Sequence, residues 1–129
     1  MRILGIGTDL VNTKKFSKII KKNKKFIQRI YTKEEQNNCS LKFNKFNCFA
    51  KRFAAKEALS KSFGTGIRDN LSFKDIEILN DKMGKPFFYK SKKIDKIIKK
   101  KFKIKKYDLF LSLSDEKDHS IAFTILVKR

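Results

Sequence analysis

One carboxylate of this chain lies where the sequence pattern predicts an apolar surface. Glu57 belongs to the run F-A-K-R-F-A-A-K-E-A-L-S-K-S-F-G-T-G at residues 49–66. At about 100° per residue, a helix over this run places Glu57 near the middle of an apolar stripe. A charge in such a stripe costs on the order of several kcal/mol unless it is paired or bound to a metal. The sequence therefore predicts a compensating partner for Glu57. The stripe consists of Phe46, Phe49, Ala50, Phe53 and Ala54.

Asp9 is the second acid within an otherwise apolar segment, and it lies in residues 2–11. A strand here has Leu4, Ile6 and Leu10 on one face and Gly5, Gly7 and Asp9 on the other. The glycines allow a ligand or another backbone to approach closely. Two carboxylates brought together suit Mg²⁺, which takes one or two protein carboxylates and phosphate oxygens. The residues alone leave two alternatives open, an i,i+4 ion pair of Glu57 with Lys61 and a strand-end cap by Asp9.

The segment Gly64-Thr65-Gly66 follows the helix that carries Glu57. Its backbone amides could cradle a phosphate with help from Lys61 and Arg52, although such a segment is more often a plain helix stop. Because the C-terminus of a helix is the negative end of its dipole, the basic side chains would do most of the anion binding. No P-loop, dinucleotide fingerprint or hydrolase nucleophile pattern is present.

Composition predicts one folded domain over residues 1–129, since 40% of the residues are hydrophobic and 13 are Phe. The 33 basic and 13 acidic residues give a net charge of +20. Such a balance predicts an acidic partner: nucleic acid, anionic lipid, an acidic protein or a phosphorylated ligand. An AT-biased coding sequence produces the same excess of Lys, Asn, Ile and Phe, so only clustered lysines indicate function.

Two cysteines, Cys39 and Cys48, lack C-x-x-C spacing and share the chain with a single histidine, His119. A zinc site is therefore not expected, and the cysteines are predicted to be reduced, partly buried thiols of a cytosolic protein. The apolar run 3–11 is short and interrupted by glycines and an acid, so it matches neither a signal peptide nor a spanning helix. We expect a soluble, cytoplasmic protein.

Periodicity predicts an α+β fold in which a single antiparallel sheet packs against helices, including one long central helix. Thr13 is the predicted cap of the first helix, Asn23 its break, and Thr32 with Glu35 a capping box. Gly64 is the predicted stop of the central helix. The predicted strands cover 2–11, 73–79, 87–89, 107–113 and 121–127, and the predicted helices cover 13–30, 32–40, 45–63 and 91–103.

Four segments in order resemble the holo-[acyl-carrier-protein] synthases, the small 4′-phosphopantetheinyl transferases. They are G-I-G-T-D-L-V at 5–11, K-R-F-A-A-K-E-A-L-S-K-S-F-G-T-G-I at 51–67, L-S-F-K-D-I-E-I at 71–78 and G-K-P at 84–86. The resemblance covers nearly the whole chain, and the second segment is highly specific. It implies an enzyme of fatty acid biosynthesis that moves phosphopantetheine from coenzyme A to a serine of apo-acyl carrier protein and releases adenosine 3′,5′-bisphosphate.

The resemblance also implies roles for individual residues. Asp9 and Glu57 are the catalytic acids that bind Mg²⁺, and Glu57 is expected to accept the serine proton directly or through water. Family members form homotrimers with the active site between subunits. Lysines of the first helix are expected to dock the acidic carrier protein. The implied coenzyme A contacts are Arg52, Lys61, Gly64, Thr65 and Pro86, and the implied docking residues are Lys15, Lys18, Lys22 and Lys25.

Two positions depart from the family pattern. Lys15 stands where many members have an arginine, and a lysine cannot make the fork-like contact of a guanidinium. Asp115 stands where many members have a histidine, which puts a catalytic histidine in doubt.

Two other classes of function were weighed. A nucleic-acid-binding domain needs exposed aromatics interleaved with lysines, whereas the Phe residues here fall on apolar stripes where a core role is simpler. A membrane-surface protein would use the Lys-rich first helix, which lacks Trp and would leave its apolar stripe unpacked. We therefore expect neither a nucleic-acid nor a membrane partner.

Overall fold

The computed structural model describes residues 1–67 and 70–129, and it has the predicted α+β composition. Within these ranges, no helix is long and apolar enough to cross a bilayer. Among the described residues, five helices, five strands and one short 3₁₀ turn follow one another. They are β1 (Arg2–Asn12), α1 (Thr13–Lys22), α2 (Lys24–Ile30), α3 (Lys33–Ser40), α4 (Lys45–Ser62), the 3₁₀ turn (Phe73–Asp75), β2 (Ile78–Asn80), β3 (Pro86–Phe88), α5 (Lys92–Phe102), β4 (Tyr107–Glu116) and β5 (His119–Lys128).

The strands form two antiparallel sheets, so the predicted single sheet is only approximate. The larger sheet has the order β1-β5-β4, and β2 pairs with β3 in a second sheet. The predicted strand over 73–79 is wrong except at its last two residues, because Phe73–Asp75 turns as a 3₁₀ helix and β2 begins only at Ile78. The reason is local: the Ser72 backbone N–H donates to Asp75 Oδ2 at 2.8 Å, which closes a capping box.

Side-chain caps mark the start of α1 and of α3, and an extended residue marks the start of α2. Asn12, one residue before the predicted Thr13, caps α1 by accepting from the Lys15 N–H at 3.0 Å. The predicted break at Asn23 is confirmed, because its extended backbone separates α1 from α2. The predicted capping box is also confirmed: Thr32 and Glu35 exchange hydrogen bonds of 3.0 and 3.2 Å at the start of α3.

Glycines let the backbone of β1 lie directly against α4. A Cβ atom added to Gly7 would stand 1.7 Å from the Ala58 carbonyl oxygen, and one added to Gly5 would stand 2.0 Å from that of Ser62. Both distances are far below van der Waals contact, so only glycine fits. The close approach anticipated for this strand face is thus made by the helix backbone.

We expect Gly7→Ala to destabilise the protein by about 1–3 kcal/mol, because the added methyl overpacks the contact between β1 and α4. The measurement is the free energy of unfolding in urea. Thr8→Ala is the matched control, since Thr8 is the next residue of β1 and is exposed. Equal unfolding free energies for Gly7→Ala and the wild type would contradict this account of the contact.

The other face of the larger sheet is exposed and apolar. In β5, Ala122, Thr124 and Leu126 are buried, and the alternate residues Ile121 and Phe123 are directed away from α4 and exposed. The expectation that the Phe residues are core is therefore wrong for this face within one chain. The exposed apolar residues on this face are Ile6, Leu10, Phe110, Ile121 and Phe123, which expose 61, 64, 52, 42 and 43% of their surface.

The two cysteines form a disulfide, so the prediction of reduced thiols is wrong. Cys39 lies in the last turn of α3 and Cys48 in the first turn of α4, and their Cα atoms are 5.5 Å apart. The turn between the two helices brings the helix ends together, which the sequence spacing does not reveal. Because the two cysteines are paired, they give no support for a reducing compartment. The cytoplasmic location stays a prediction.

Candidate active site

The antiparallel packing of β1 on α4 brings Asp9 to Glu57. Gly5 lies opposite Ser62 and Gly7 lies opposite Ala58. A step of two residues along β1 therefore corresponds to a step of four residues along α4. The match is geometric, because two strand residues and four helix residues both span about 6 Å. Asp9 is the next inward residue of β1, and it lines a cavity of about 420 Å³ together with Glu57. The two acids singled out from the sequence therefore meet in one place.

The surroundings of Glu57 disfavour its charge. Burial raises the pKa of Glu57, the neighbouring charge of Asp9 raises it further, and Lys61 acts in the opposite direction. Its carboxylate accepts no hydrogen bond from any residue in the described ranges 1–67 and 70–129. A bound cation would favour the ionised form of Glu57 and relieve this cost.

Lys61 lies against Asp9 rather than Glu57. Its Nζ is 2.9 Å from Asp9 Oδ1 and donates to the Thr8 carbonyl oxygen at 3.1 Å. The alternative i,i+4 ion pair between Glu57 and Lys61 is not formed within the described part of the chain. Asp9 therefore has an ammonium partner, and Glu57 has none within ion-pair distance among the described residues.

The donor set fits Mg²⁺ as an open site. Magnesium commonly binds through one or two carboxylates and completes its shell with water and substrate phosphate oxygens. Asp9 and Glu57 supply two carboxylates, and over residues 1–67 and 70–129 no group of three or more His, Cys, Asp or Glu offers a closed cage. These two residues could therefore hold the ion and leave positions open for a phosphorylated substrate.

Arg52 is buried on a different side of α4. Its Nη2 donates to Asn80 Oδ1 at 2.6 Å and its Nη1 contacts Cys48 Sγ at 3.1 Å, whereas its Nε is buried without a partner among the described residues. Burial lowers the pKa of Arg52, and the charge of Glu35 opposes that shift. Arg52 lines a second cavity of about 430 Å³ with Lys42, Lys51, Asn80 and Gly84. An unpaired donor in a basic cavity suits an anionic ligand.

The predicted coenzyme A contacts fall into two groups that one chain does not bring together. Arg52 and Lys61 are nine positions apart, which at 100° per residue puts them on opposite sides of α4. Gly64 and Thr65 follow the end of α4 near Lys61, and Gly64 has a φ of 82°. Pro86 begins β3 and pairs with Asn80, the hydrogen-bond partner of Arg52.

The predicted docking lysines line one exposed strip. Phe16 and Ile20 are buried beneath α1 and fix its orientation. Lys15 lies at the mouth of the Asp9 cavity, so the strip starts beside the two acids. The strip, called the lysine strip below, consists of Lys15, Lys18, Lys22 and Lys25, and all four are exposed.

A buried ion pair next to Glu57 was not predicted from the sequence. Lys56 Nζ lies 2.8 Å from Glu35 Oε1, and both side chains are 0% exposed. Lys56 also donates to the carbonyl oxygens of Phe73, at 3.0 Å, and Ile76. The available signal was the helical periodicity itself, since Lys56 lies three and seven positions after Phe53 and Phe49 on the apolar stripe.

Asp115, the residue in place of a family histidine, lies at the hairpin between β4 and β5. It accepts a hydrogen bond from the side-chain amide of Asn47 in the first turn of α4. Asn47 in turn accepts from Ser120 Oγ at 3.0 Å. Asp115 therefore ties the hairpin to α4, and His119 is exposed at the same turn.

Comparison with known proteins agrees with the resemblance carried by the sequence segments. A family model described as the 4′-phosphopantetheinyl transferase superfamily matches residues 5–124. The holo-[acyl-carrier-protein] synthase of Pelagibacter ubique strain HTCC1062 is 50% identical over 129 residues, which is 100% of both chains.

Solved structures give the same result. The Neisseria meningitidis holo-[acyl-carrier-protein] synthase superposes with a TM-score of 0.85 at 41% identity, covering 98% of this chain and 99% of the other. The Bacillus anthracis str. Ames synthase, solved in complex with CoA (3′,5′-ADP), superposes with a TM-score of 0.81 at 35% identity over 100% of both chains. This chain therefore belongs to the 4′-phosphopantetheinyl transferase superfamily and, within it, to the holo-[acyl-carrier-protein] synthases, which are transferases.

Proposed function

We propose that this chain transfers the 4′-phosphopantetheine group from coenzyme A to a serine of apo-acyl carrier protein. The observation that carries the proposal is the meeting of Asp9 and Glu57 in a cavity that Lys15 of the lysine strip also lines, with Lys61 paired to Asp9 beside it. Acids that hold a divalent ion suit a pyrophosphate, and a basic strip suits an acidic carrier. The serine oxygen forms a bond to the phosphorus next to pantetheine, and adenosine 3′,5′-bisphosphate leaves with the bridging oxygen.

The residues of this chain have distinct tasks in that reaction. Asp9 and Glu57 would hold the Mg²⁺ ion, which would supply positive charge beside the phosphates of coenzyme A. Lys61 and Arg52 bind phosphate oxygens of coenzyme A. Glu57 accepts the proton of the serine hydroxyl, directly or through one water.

The test is the mass of an apo-acyl carrier protein after incubation with this protein and coenzyme A. With Mg²⁺ present we expect the carrier to gain one phosphopantetheine group, and with excess chelator we expect no gain. Transfer that persists in chelator would contradict the metal assignment. Absence of transfer together with DNA binding at physiological salt would instead favour a nucleic-acid-binding domain.

The lysine strip supports an acidic carrier protein as the second substrate. We expect the triple substitution Lys18→Glu, Lys22→Glu and Lys25→Glu to raise the KM for the carrier about ten-fold or more and to leave the KM for coenzyme A unchanged. The measurement is steady-state transfer with each substrate varied in turn. A matched control places glutamate at three exposed lysines of α5, namely Lys96, Lys100 and Lys101.

If the strip and the α5 variants raise the carrier KM equally, net charge rather than docking is responsible. If the lysine-strip variant raises the KM for the carrier and the KM for coenzyme A equally, the docking assignment fails. Only a selective loss of carrier affinity supports the proposal.

A homotrimer with active sites between subunits accounts for two features of the chain. The face of the larger sheet that carries Ile6, Leu10 and Phe123 is apolar and is exposed in the single chain. Such a face is typical of a surface that another subunit covers. Arg52 and Glu57 lie five positions apart and are directed about 140° apart around α4, so one coenzyme A reaches both more readily across two subunits.

Mixing two inactive variants tests the shared site. Arg52→Met and Glu57→Gln each remove one half of the site, and in randomly mixed trimers about one quarter of the sites have both halves intact. We therefore expect coexpressed variants to recover about one quarter of wild-type activity, whereas each variant alone stays inactive. Native mass spectrometry verifies that mixed trimers form. Mixed trimers without recovered activity would mean that each site lies within one chain.

A further inference from the structure

A third cavity lies between α1, α2, α3 and α4, and it has no lining residue in common with the Asp9 cavity. Its volume is about 340 Å³, within the range of roughly 300–1,000 Å³ that small-molecule sites occupy. Four helices enclose it, so it is accessible to a small molecule rather than to a folded partner. Its floor is apolar and consists of Ile20, Ile27, Phe46 and Phe49.

Basic side chains converge on this cavity without a counter-ion. Lys21 Nζ lies 5.0 Å and Lys45 Nζ 5.4 Å from the centroid of the same Phe46 ring. Lys24 also lines the cavity, and none of the three lysines forms an ion pair with a carboxylate over residues 1–67 and 70–129. The ring attracts each ammonium group weakly, but two like charges over one ring repel each other.

The helix ends around the cavity act in opposite directions, because α1 and α3 end there at Lys22 and Ser40 while α4 begins there at Lys45. Lys45 is the first residue of α4, whose first turn contains no acid. The N-terminus of this 18-residue helix carries the positive end of its dipole, which lies close to Lys45. An anion beside Lys21 and Lys45 would meet two ammonium groups and this dipole at once.

We propose that this cavity binds a medium-chain aliphatic carboxylate. The carboxylate lies between Lys21 and Lys45, and the chain lies on the apolar floor. The four apolar side chains of the floor suit an aliphatic chain, and the lining also includes the polar side chains of Gln36 and Ser40. The site is separate from the proposed transfer reaction and does not depend on it.

Methyl NMR of the isotope-labelled full chain tests the location with octanoate as the probe. We expect octanoate to shift the methyl signals of Ile20 and Ile27 and to leave those of Ile94 and Ile98 in α5 unchanged. Affinity should rise about four-fold for each methylene from hexanoate upward, until the cavity is filled. Octyltrimethylammonium has an alkyl chain one carbon longer than that of octanoate and the opposite charge, and we expect it to cause no saturable shift.

Removing the lysine charges tests the contact with the carboxylate of octanoate. We expect Lys21→Gln with Lys45→Gln to weaken octanoate binding ten-fold or more, measured by isothermal titration calorimetry. The matched control, Lys100→Gln with Lys101→Gln on α5, changes the net charge equally and should bind octanoate like the wild type.

Three results would overturn the proposal. Equal weakening in both double variants would mean that only the overall charge attracts octanoate. Equal binding of octyltrimethylammonium would mean that the cavity has no anion preference. Shifts confined to the exposed face of the sheet, at Ile6 and Ile121, would mean that octanoate binds a different apolar surface.

Discussion

Replacing Glu57 by Gln is expected to lower phosphopantetheine transfer by about a thousand-fold while the protein stays folded. The amide has nearly the same size as the carboxylate but carries no charge, so it weakens the metal contact and cannot accept the serine proton. Stability should not fall at neutral pH. The pKa of Glu57 is raised by burial and by Asp9, so folding favours the neutral form, which the amide resembles.

The carrier mass assay and urea unfolding together separate a catalytic from a structural effect. Asp9→Asn should lose transfer in the same way, although it also weakens the ion pair with Lys61. The matched control is Glu34→Gln, an exposed glutamate of α3 that should transfer at the wild-type rate. Normal transfer by Glu57→Gln would remove Glu57 from the proposed mechanism, and loss of transfer with an equally large loss of stability would indicate a structural role.

Local signals in the sequence predicted most helices and the hairpin of the larger sheet. The capping box of Thr32 and Glu35, the break at Asn23 and the end of α4 before Gly64 all depend on residues within one or two turns. Features that depend on distant contacts were not predictable. The disulfide between Cys39 and Cys48 and the separation of β2 and β3 from the larger sheet both follow from how helices and strands pack.

The candidate site was predictable only where local sequence patterns indicate it. Asp9 and Glu57 stand out because each interrupts an apolar pattern, and the glycines of β1 indicated a close approach. The prediction assumed that α4 buries one stripe, as a surface helix does. In fact α4 is buried on several sides, so Arg52 and Lys56 are more buried than Glu57. Sequence periodicity alone does not give the width of a buried helix face.

The second large effect is expected at Lys56. Lys56→Met should destabilise the protein by about 3–5 kcal/mol, because it leaves a buried carboxylate without its partner. Glu35 would retain only the backbone N–H groups of Thr32 and Ile78, and the carbonyl oxygens of Phe73 and Ile76 would lose a donor. The 3₁₀ turn and the segment before β2 would thereby lose their hydrogen bonds to Lys56 of α4, whereas the stacking of Phe73 on Phe53 would remain.

A double-mutant cycle distinguishes this ion pair from a general loss of packing. We expect Glu35→Gln to rescue part of the loss, so that the double variant unfolds at a higher urea concentration than Lys56→Met alone. Lys51→Met is the matched control on α4, since Lys51 is only partly buried and should tolerate the change. Additive losses in the cycle would contradict the coupling between Lys56 and Glu35. Coupling would mean that Lys56 stabilises the helix turn on which Glu57 is held, which explains why a lysine inside an apolar stripe precedes the candidate base.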